Sequence, residues 1–353
     1  MLRAALAALS LGLADAAPDL DADAAHAFAD FKRRFGKRYA TPAEEARRAA
    51  VFRDNMEKVA SVHGDSTTLG VTKFSDLTED EFSNQFLGLR PNPASSSRFW
   101  DGTCSACARF TEHRDMGDAD SFDWTTKGAV TPIKTQHCGD CYAFSSAADI
   151  EGAWFLAGHD LISLSEEQIV DCCWLDAGLL QCAGCSGGDP NDVFNWLLKN
   201  YTGGICSEED YPYTVPTTHP APGSCRRSEL KNTSFAAHID GWYWVSHSSG
   251  NGDGEKNMTA ALPRVGPFSI GFDAKDANLQ HYTGGIARPN CKKDPELTHA
   301  MLVVGYGTED GTPYWRLKNS YGTDFGEDGY YRVVRGENAC GIANLVAHSY
   351  VNH

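Results

Sequence analysis

Three short segments carry residue types that can move acyl groups. The first is Cys138-Gly-Asp-Cys141-Tyr-Ala-Phe-Ser, which opens an apolar stretch, CYAFSSAADIEGAWFLA, over residues 141–157. That stretch predicts a helix, so Cys141 falls in its first turn. A thiol there faces the positive end of the helix dipole, which favours the thiolate, and the thiolate is the nucleophilic form. By itself, a Cys-x-x-Cys pair also suits a redox couple or half a metal site. The second segment is Leu297-Thr-His299, entering the apolar run MLVVGY at 301–306. A histidine in that setting is commonly a hydrogen-bonded core residue. The third is Trp315-Arg-Leu-Lys-Asn319-Ser-Tyr-Gly322-Thr-Asp-Phe-Gly326. An asparagine there can orient an imidazole through its side chain, with flanking aromatics keeping water off the bond. Cysteine, histidine and asparagine in that order read as nucleophile, base and orienter.

The surrounding elements fall into two kinds. Helices are predicted over 141–157, from Ser165 as a cap ahead of Glu166, and over 191–199. After about residue 235, short apolar runs at 301–306, 313–317 and 330–334 lie between Gly-rich turns, which predicts antiparallel strands. A helical half followed by a strand half predicts an α+β unit with a cleft between the halves. Ahead of it, residues 18–87 read as helical. Phe28, Phe31, Phe35 and Tyr39 share a face, and Thr41-Pro42 opens a second helix carrying Glu44, Arg48, Phe52, Asn55, Val59 and His63. Pro91, Pro93 and Ser95 to Ser97 mark a linker, the kind of segment where proteases cut.

Bulk properties narrow the setting. The 353 residues hold 47 acidic and 31 basic side chains, a net charge of −16, so nucleic acid and anionic membrane are poor partners. Residues 1–117 contain 15 basic and 17 acidic groups, and the remainder contains 16 and 30. Residues 1–17, MLRAALAALSLGLADAA, have the order of a secretory signal ending at Ala16. No later stretch of 18 apolar residues predicts a membrane span. Twelve cysteines fit an oxidising compartment, as do the glycosylation triplets at Asn200, Asn232 and Asn257.

Taken together, the three segments resemble the papain family, the lysosomal cathepsins and their plant relatives. Leu164-Ser-Glu-Glu-Gln-Ile-Val-Asp-Cys172, Cys185-Ser-Gly187-Gly188, Asp210-Tyr-Pro-Tyr213 and Cys340-Gly-Ile are similar to further family segments. The spacing Glu44, Arg48, Phe52, Asn55, Val59, His63, followed by Gly70, Phe74 and Asp76, resembles the family's inhibitory propeptide. The resemblance covers roughly 28–87 and 118–350. It implies a papain-like two-domain fold, with a helical left domain and an antiparallel, barrel-like right domain flanking the cleft. The expected organisation is a signal peptide at 1–16, a helical inhibitor propeptide at 17–87, a linker with the maturation site at 88–117, and the peptidase at 118–353.

The resemblance further implies a cysteine endopeptidase made as a zymogen, with Cys141 as nucleophile, His299 as its base, Asn319 holding the ring, and Gln136 as the side-chain donor of an oxyanion hole. Gly187 and Gly188 would pair with an extended peptide. Asp189, Pro190, Gly271, Leu297, Ala300 and Leu345 would line the pocket for the residue two before the cut bond, with Leu345 at its floor. That lining predicts a preference for Leu, Val or Phe over Arg. Family-like bridges would be Cys138–Cys185, Cys172–Cys225 and Cys291–Cys340. Cys104, Cys107, Cys173, Cys182 and Cys206 are left over, with Cys173 expected in a bridge. The expected partners are peptide or protein substrates and the chain's own propeptide, for a monomer in the secretory pathway, in a lysosome, a vacuole or outside the cell. No cofactor or metal is implied. A zinc site built on Cys104, Cys107, Cys138, Cys141, Cys182 and Cys185 competes with the bridges for the same thiols.

The chain departs from the family in three places. Gln136 stands five residues before Cys141, where the family has six. Asp140 adjoins the nucleophile, where it would raise the thiol pKa unless it points into solvent as a helix-start residue, which is the expectation. Tyr142, Tyr321 and Phe325 replace tryptophans. The first two departures motivate an alternative, a catalytically impaired papain-like protein that binds peptides. A transamidating variant is a third possibility. An N-terminal third that holds about half the basic residues, laid on a body of net charge −14, predicts electrostatic docking that weakens in acid, and so a zymogen that matures itself in acid.

Overall fold

The structure is a computed structural model that describes residues 20–61, 67–92, 120–176, 182–217, 221–226, 230, 235–247 and 254–352. The expected signal peptide, the stretch 93–117, Cys104, Cys107 and Asn232 lie outside the described residues.

The N-terminal unit begins with helices α1 (Leu20–Phe35) and α2 (Pro42–Ser61). Thr41 Oγ1 accepts the Glu44 N–H at 3.1 Å, so the Thr-Pro start is a side-chain-capped helix. Phe28, Phe31 and Phe52 form the small apolar core between the two helices. Asn55 Nδ2 donates to the carbonyls of Ser75 (2.9 Å) and Leu77 (2.8 Å), which ties α2 to the turn that follows. Asp76, also in that turn, accepts from Lys37 Nζ at 2.8 Å and Tyr39 Oη at 2.9 Å. The region that reads as helical also holds a short strand, β1 (Thr67–Leu69), before helix α3 (Glu79–Phe86). Thr78 and Glu81 form a reciprocal capping box at the start of α3.

The main body has two cores. Helices α4 (Cys141–Leu156), α5 (Glu166–Cys172) and α6 (Pro190–Tyr201) build one. The short strands β3 (Gly204–Ile205) and β4 (Ala237–His238) pair beside them. The other core packs helix α7 (Gly254–Val265) against a nine-stranded sheet. Besides β1, its strands are β2 (Phe122–Asp123), β5 (Gly241–His247), β6 (Phe268–Phe272), β7 (Tyr282–Ala287), β8 (His299–Glu309), β9 (Thr312–Lys318), β10 (Tyr330–Val334) and β11 (Leu345–Tyr350). Their order is β1-β7-β10-β9-β8-β6-β11-β5, with β2 on β8. All pairs but one are antiparallel. The exception is β10 beside β7, which runs parallel.

Helix α4 is apolar nearly all round and buried along most of its length, as a helix between two packed layers must be. Its polar groups are individually satisfied. Asp149 accepts from the Ser349 N–H at 2.9 Å and from His348 Nδ1 at 3.0 Å, which fastens the helix to β11. Glu151 accepts the Leu164 N–H at 2.9 Å. The helix that carries Cys141 is thereby fixed between the helical half and the sheet.

Candidate active site

Cys141 is the first residue of α4 and His299 the first residue of β8, while Asn319 follows the last residue of β9. Strands β8 and β9 are hydrogen-bonded neighbours, which puts the two ends side by side. His299 Nε2 is 2.8 Å from Asn319 Oδ1, and that oxygen also accepts the Ser320 N–H at 2.8 Å. An amide oxygen can only accept, so Nε2 carries the proton and Nδ1 keeps its lone pair. Nδ1 is buried without a partner among the described residues. The Tyr321 ring stacks on His299, with centroids 5.0 Å apart and planes 27° apart. Ala300, next to His299, packs against Cys141.

Gln136 reaches the same place despite its shorter loop. Its N–H donates to the Ser320 carbonyl at 2.8 Å, and its Oε1 accepts from Ser320 Oγ. Nε2 donates to the Cys138 carbonyl at 2.6 Å and the Phe86 carbonyl at 3.1 Å. Ser320 therefore bonds to both Gln136 and Asn319, a link that sequence reasoning did not identify.

Disulfides Cys138–Cys185, Cys172–Cys225 and Cys291–Cys340 are present, together with Cys173–Cys182. The first ties the loop before Cys141 to the loop of Gly187 and Gly188. Cys141 and Cys206 are the free cysteines among the described residues. Cys138, Cys182 and Cys185 are thus spent in bridges, which removes the thiols a zinc site would need. Asn200 and Asn257 are exposed on α6 and α7.

Asp140 overturns one expectation. It is fully buried rather than solvent-facing, and it makes no side-chain cap on α4. Its Oδ2 instead accepts from Tyr213 Oη at 2.5 Å, and its Oδ1 has no partner among the described residues. Burial pushes this carboxyl up to about 7, against the pull of the Tyr213 hydroxyl.

The cleft is filled by the chain's own N-terminal unit. Gly88 and Leu89, expected in an exposed linker, are inside it. The Gly188 N–H donates to the Gly88 carbonyl at 2.8 Å, and the Arg90 N–H donates to the Gly188 carbonyl at 2.9 Å. This is a parallel bridge between Leu89 and Gly188. The Leu89 N–H also donates to the Thr298 carbonyl at 3.0 Å. Leu89 packs on Cys141, Ala300 and Leu297. A Cβ built on Gly271 would stand 2.8 Å from Leu89, 3.0 Å from Leu297 and 3.3 Å from Leu345. Of the six expected pocket residues, Gly271, Leu297 and Ala300 therefore lie against this leucine, and Leu345 lies beside Gly271. Asp189 has a different role: it caps α6, accepting the Asn191 N–H at 3.0 Å, and takes the Asn92 N–H at 2.6 Å. Pro190 is the first residue of α6.

Burial under this segment sets the charges. It pushes the Cys141 thiol up to about 12, with backbone groups of Ala300 and Gly88 opposing and Asp140 adding to the rise. It pushes His299 down to about 4, against its bond to Asn319. Burial thus favours the neutral form of both groups.

The cover is held mainly by rings and backbone. Phe74, Phe82 and Phe86 meet the Tyr321 ring edge-on at centroid distances of 5.1, 5.9 and 6.1 Å. Strand β1 adds to the sheet beside β7, and Gln280 Nε2 donates to the carbonyls of Phe74 and Leu77. Among the described residues only two ion pairs cross the contact, Lys73–Asp324 at 3.0 Å and Lys275–Glu79 at 3.4 Å, with opposite polarity. The expected basic-on-acidic docking is therefore a minor part of the contact. Nothing in the sequence marked Leu89 or Asn92 except an apolar Leu-Gly-Leu after a helix end.

A thiol at a helix start, an imidazole held by an amide, and an N-terminal unit laid over both define a thiol-dependent hydrolase that carries its own inhibitor. Comparison with known proteins agrees. Residues 119–350 match the papain family cysteine protease pattern, and residues 28–82 match the cathepsin propeptide inhibitor domain (I29). Cysteine proteinase B of Leishmania mexicana is 38% identical over 333 residues, covering 93% of this chain and 69% of that protein. Cysteine proteinase 15A of Pisum sativum is 36% identical over 339 residues, covering 92% and 86%. The digestive procathepsin L 3 of Tenebrio molitor larval midgut superposes with a TM-score of 0.73 at 30% identity, covering 93% of this chain and 99% of that one. The chain belongs to the papain family of cysteine proteases, and its inhibitor domain makes it a zymogen. Its disulfides are consistent with the secretory pathway, and none of its described helices is long and apolar enough to cross a membrane.

Proposed function

We propose that the chain is an endopeptidase zymogen of an acidic secretory or lysosomal lumen, with Cys141 as nucleophile, His299 as base and acid, and Asn319 as the residue that orients it. The observation that carries this is the 2.8 Å contact from His299 Nε2 to Asn319 Oδ1, which leaves Nδ1 free to exchange a proton with a thiol at the start of α4. With the cleft open, water returns and the thiolate–imidazolium pair becomes available. The Cys141 sulfur attacks the scissile carbonyl carbon, and the carbon–nitrogen bond breaks as His299 protonates the leaving amine. His299 then takes a proton from water, whose oxygen attacks the thioester carbon and releases the acid and the thiol. The carbonyl oxygen, negative in between, is held by the Cys141 N–H and Gln136 Nε2. The pocket that holds Leu89 takes Leu, Val or Phe two residues before the cut bond and disfavours Arg.

The test is titration of the acid-treated, reduced full-length chain with a thiol-directed epoxide, alongside hydrolysis of a Phe-Arg peptide reporter. Labelling of Cys141 that tracks loss of hydrolysis supports the proposal. Labelling without hydrolysis points to a broken oxyanion hole, and no labelling favours the peptide-binding alternative motivated by Asp140 and the short Gln136 loop. Cys141→Ala, purified alone, should not process itself between 88 and 117. If it does, self-maturation is wrong.

A further inference from the structure

The inhibitor carries a cation to the far side of Cys141 from its leucine. Its chain passes the nucleophile between Phe86, which meets the Tyr321 ring, and Leu89, which packs on Cys141 and Leu297. Leu89 marks the proposed pocket before the cut bond, so Tyr321 marks the side of the leaving amine. There Lys73 Nζ donates to the Tyr321 carbonyl and to Asp324 Oδ1, the latter at 3.0 Å. Both acceptors are placed by the body's own contacts. Tyr321 faces Thr135 in an antiparallel bridge whose hydrogen bonds are made by the residues on either side. These run from the Gln136 N–H to the Ser320 carbonyl at 2.8 Å and from the Gly322 N–H to the Lys134 carbonyl at 3.0 Å. In such a pair the Tyr321 carbonyl points away from the bridge, to where the ammonium sits. Asp324 is held nearby by Phe325, which is buried edge-on against the Tyr321 ring at 5.2 Å. Gly322 lies between the two acceptors with a φ of +76°, and a Cβ on it would stand 3.1 Å from Asp324 Oδ1 and 3.3 Å from Lys73 Nζ. A side chain there would crowd the ammonium, so the glycine keeps the place open. The simplest account is a rim ion pair that helps to dock the inhibitor, and with Asp324 48% exposed such a pair is weak. Yet the cradle stays on the body after release, beside the ring that stacks on His299, where a substrate must pass.

We infer that, once the inhibitor has left, the Tyr321 carbonyl and Asp324 form a subsite for a basic side chain, Lys or Arg, at the second or third residue after the cut bond. The Tyr321 ring, stacked on His299, walls the place of the first residue, and each further extended residue adds about 3.5 Å. An ammonium has three donors and can meet a carbonyl and a carboxylate at once, as Lys73 does. The inference rests on the proposed active site. It adds to the leucine preference a second requirement, on the other side of the cut bond.

The experiment compares kcat/KM of the acid-matured enzyme on internally quenched peptides, with the cut bond checked by product mass. Each carries Leu two residues before that bond and Lys, Gln or Glu at the second or third position after it. Lys should exceed Glu by about fivefold at one of the two positions, and the ratio should shrink in high salt. Asp324→Asn should bring the ratio towards one, and Asp324→Lys should invert it. Equal rates for Lys and Glu on peptides that are still cleaved, or a ratio that Asp324→Lys leaves intact, would overturn the subsite and leave the protease standing. No cleavage of any peptide removes the subsite together with the active site it rests on. The unprocessed chain gives a second reading that needs no substrate. Lys73→Glu should speed epoxide labelling of Cys141 by about threefold, and adding Asp324→Lys should restore the slow rate. Labelling that ignores both substitutions would show that the place does not read charge, which also overturns the inference.

Discussion

The Tyr213 hydroxyl donates to Asp140 Oδ2 at 2.5 Å, one residue ahead of Cys141. The carboxyl is buried, and burial holds its pKa at about 7, so it is neutral in acid and charges as pH rises through 7. A negative charge there opposes the adjacent thiolate. The raised pKa also means that the carboxyl favours the folded state below its ordinary value of 3.8 and that this contribution is lost as pH rises towards 7. Asp140→Asn should therefore widen the kcat/KM profile of the mature enzyme on its alkaline side, speed Cys141 alkylation at pH 8 several-fold, and raise the melting temperature more at pH 8 than at pH 5. A pH profile that superposes on the wild type would remove Asp140 from the control of the thiol.

His281 gives the inhibitor a pH-sensitive support. It lies on the body next to Gln280, which bonds to the Phe74 and Leu77 carbonyls, and the Gly70 N–H donates to its own carbonyl at 2.9 Å. It lines the cavity beneath α2 and α3 with Lys58, Glu79 and Lys275, and its buried Nδ1 has no partner among the described residues. Burial, with Lys58 adding to it, pushes His281 from 6.5 down to about 4. A lowered pKa means that docking is fully supported above 6.5 and loses support as pH falls through that window towards 4. His281→Leu should shift the midpoint of propeptide release to lower pH, followed by gel analysis of maturation across a pH series. An unshifted midpoint would assign acid release to other groups.

Gly88 approaches the body so closely that a Cβ on it would lie 1.8 Å from the Gly139 carbonyl oxygen. No side chain fits without moving the backbone on one side. Gly88→Ala should lift the segment and raise epoxide labelling of Cys141 in the unprocessed chain at neutral pH by at least about tenfold, a loss of docking near 1.4 kcal/mol. Labelling as slow as in the wild type would show that the cover does not depend on this contact.

Gln136 Nε2 is directed at the Phe86 carbonyl while the cleft is closed. If that amide serves the developing oxyanion, Gln136→Ala should lower kcat by about 100- to 1000-fold and leave alkylation of Cys141 by iodoacetamide within about threefold, since alkylation forms no oxyanion. Equal losses in both reactions would mean that the substitution disturbs the thiol itself.

The placement of Cys141, His299 and Asn319 was legible because each sits where an apolar periodic run begins or ends. Helix α4 begins at Cys141, strand β8 begins at His299, and Asn319 follows β9. Local patterning also located α2, capped by Thr41, and α5, capped by Ser165. Contacts made by residues far apart in sequence were not legible. Strand β1 pairs with β7 across more than two hundred residues, and three residues of mixed polarity carry no strand signal alone. Asp140 looked like a solvent-facing helix start because its partner, Tyr213, lies 73 residues away. Leu89 and Asn92 sit in what composition marks as a linker, and only the shape of the cleft explains why they are buried.

The inhibitor grips the body by β1 at the sheet edge, by Phe74, Phe82 and Phe86 on the Tyr321 ring, and by residues 88–92 in the cleft, and all of these grips lie on the N-terminal side of the stretch 93–119. A cut in that stretch therefore breaks the tether and leaves the grips in place. The inhibitor then passes from a fixed, high local concentration to whatever its own binding constant allows. Activity after the cut becomes a matter of dilution: a concentrated sample stays silent, a diluted one wakes, and destruction of the released piece makes the change permanent.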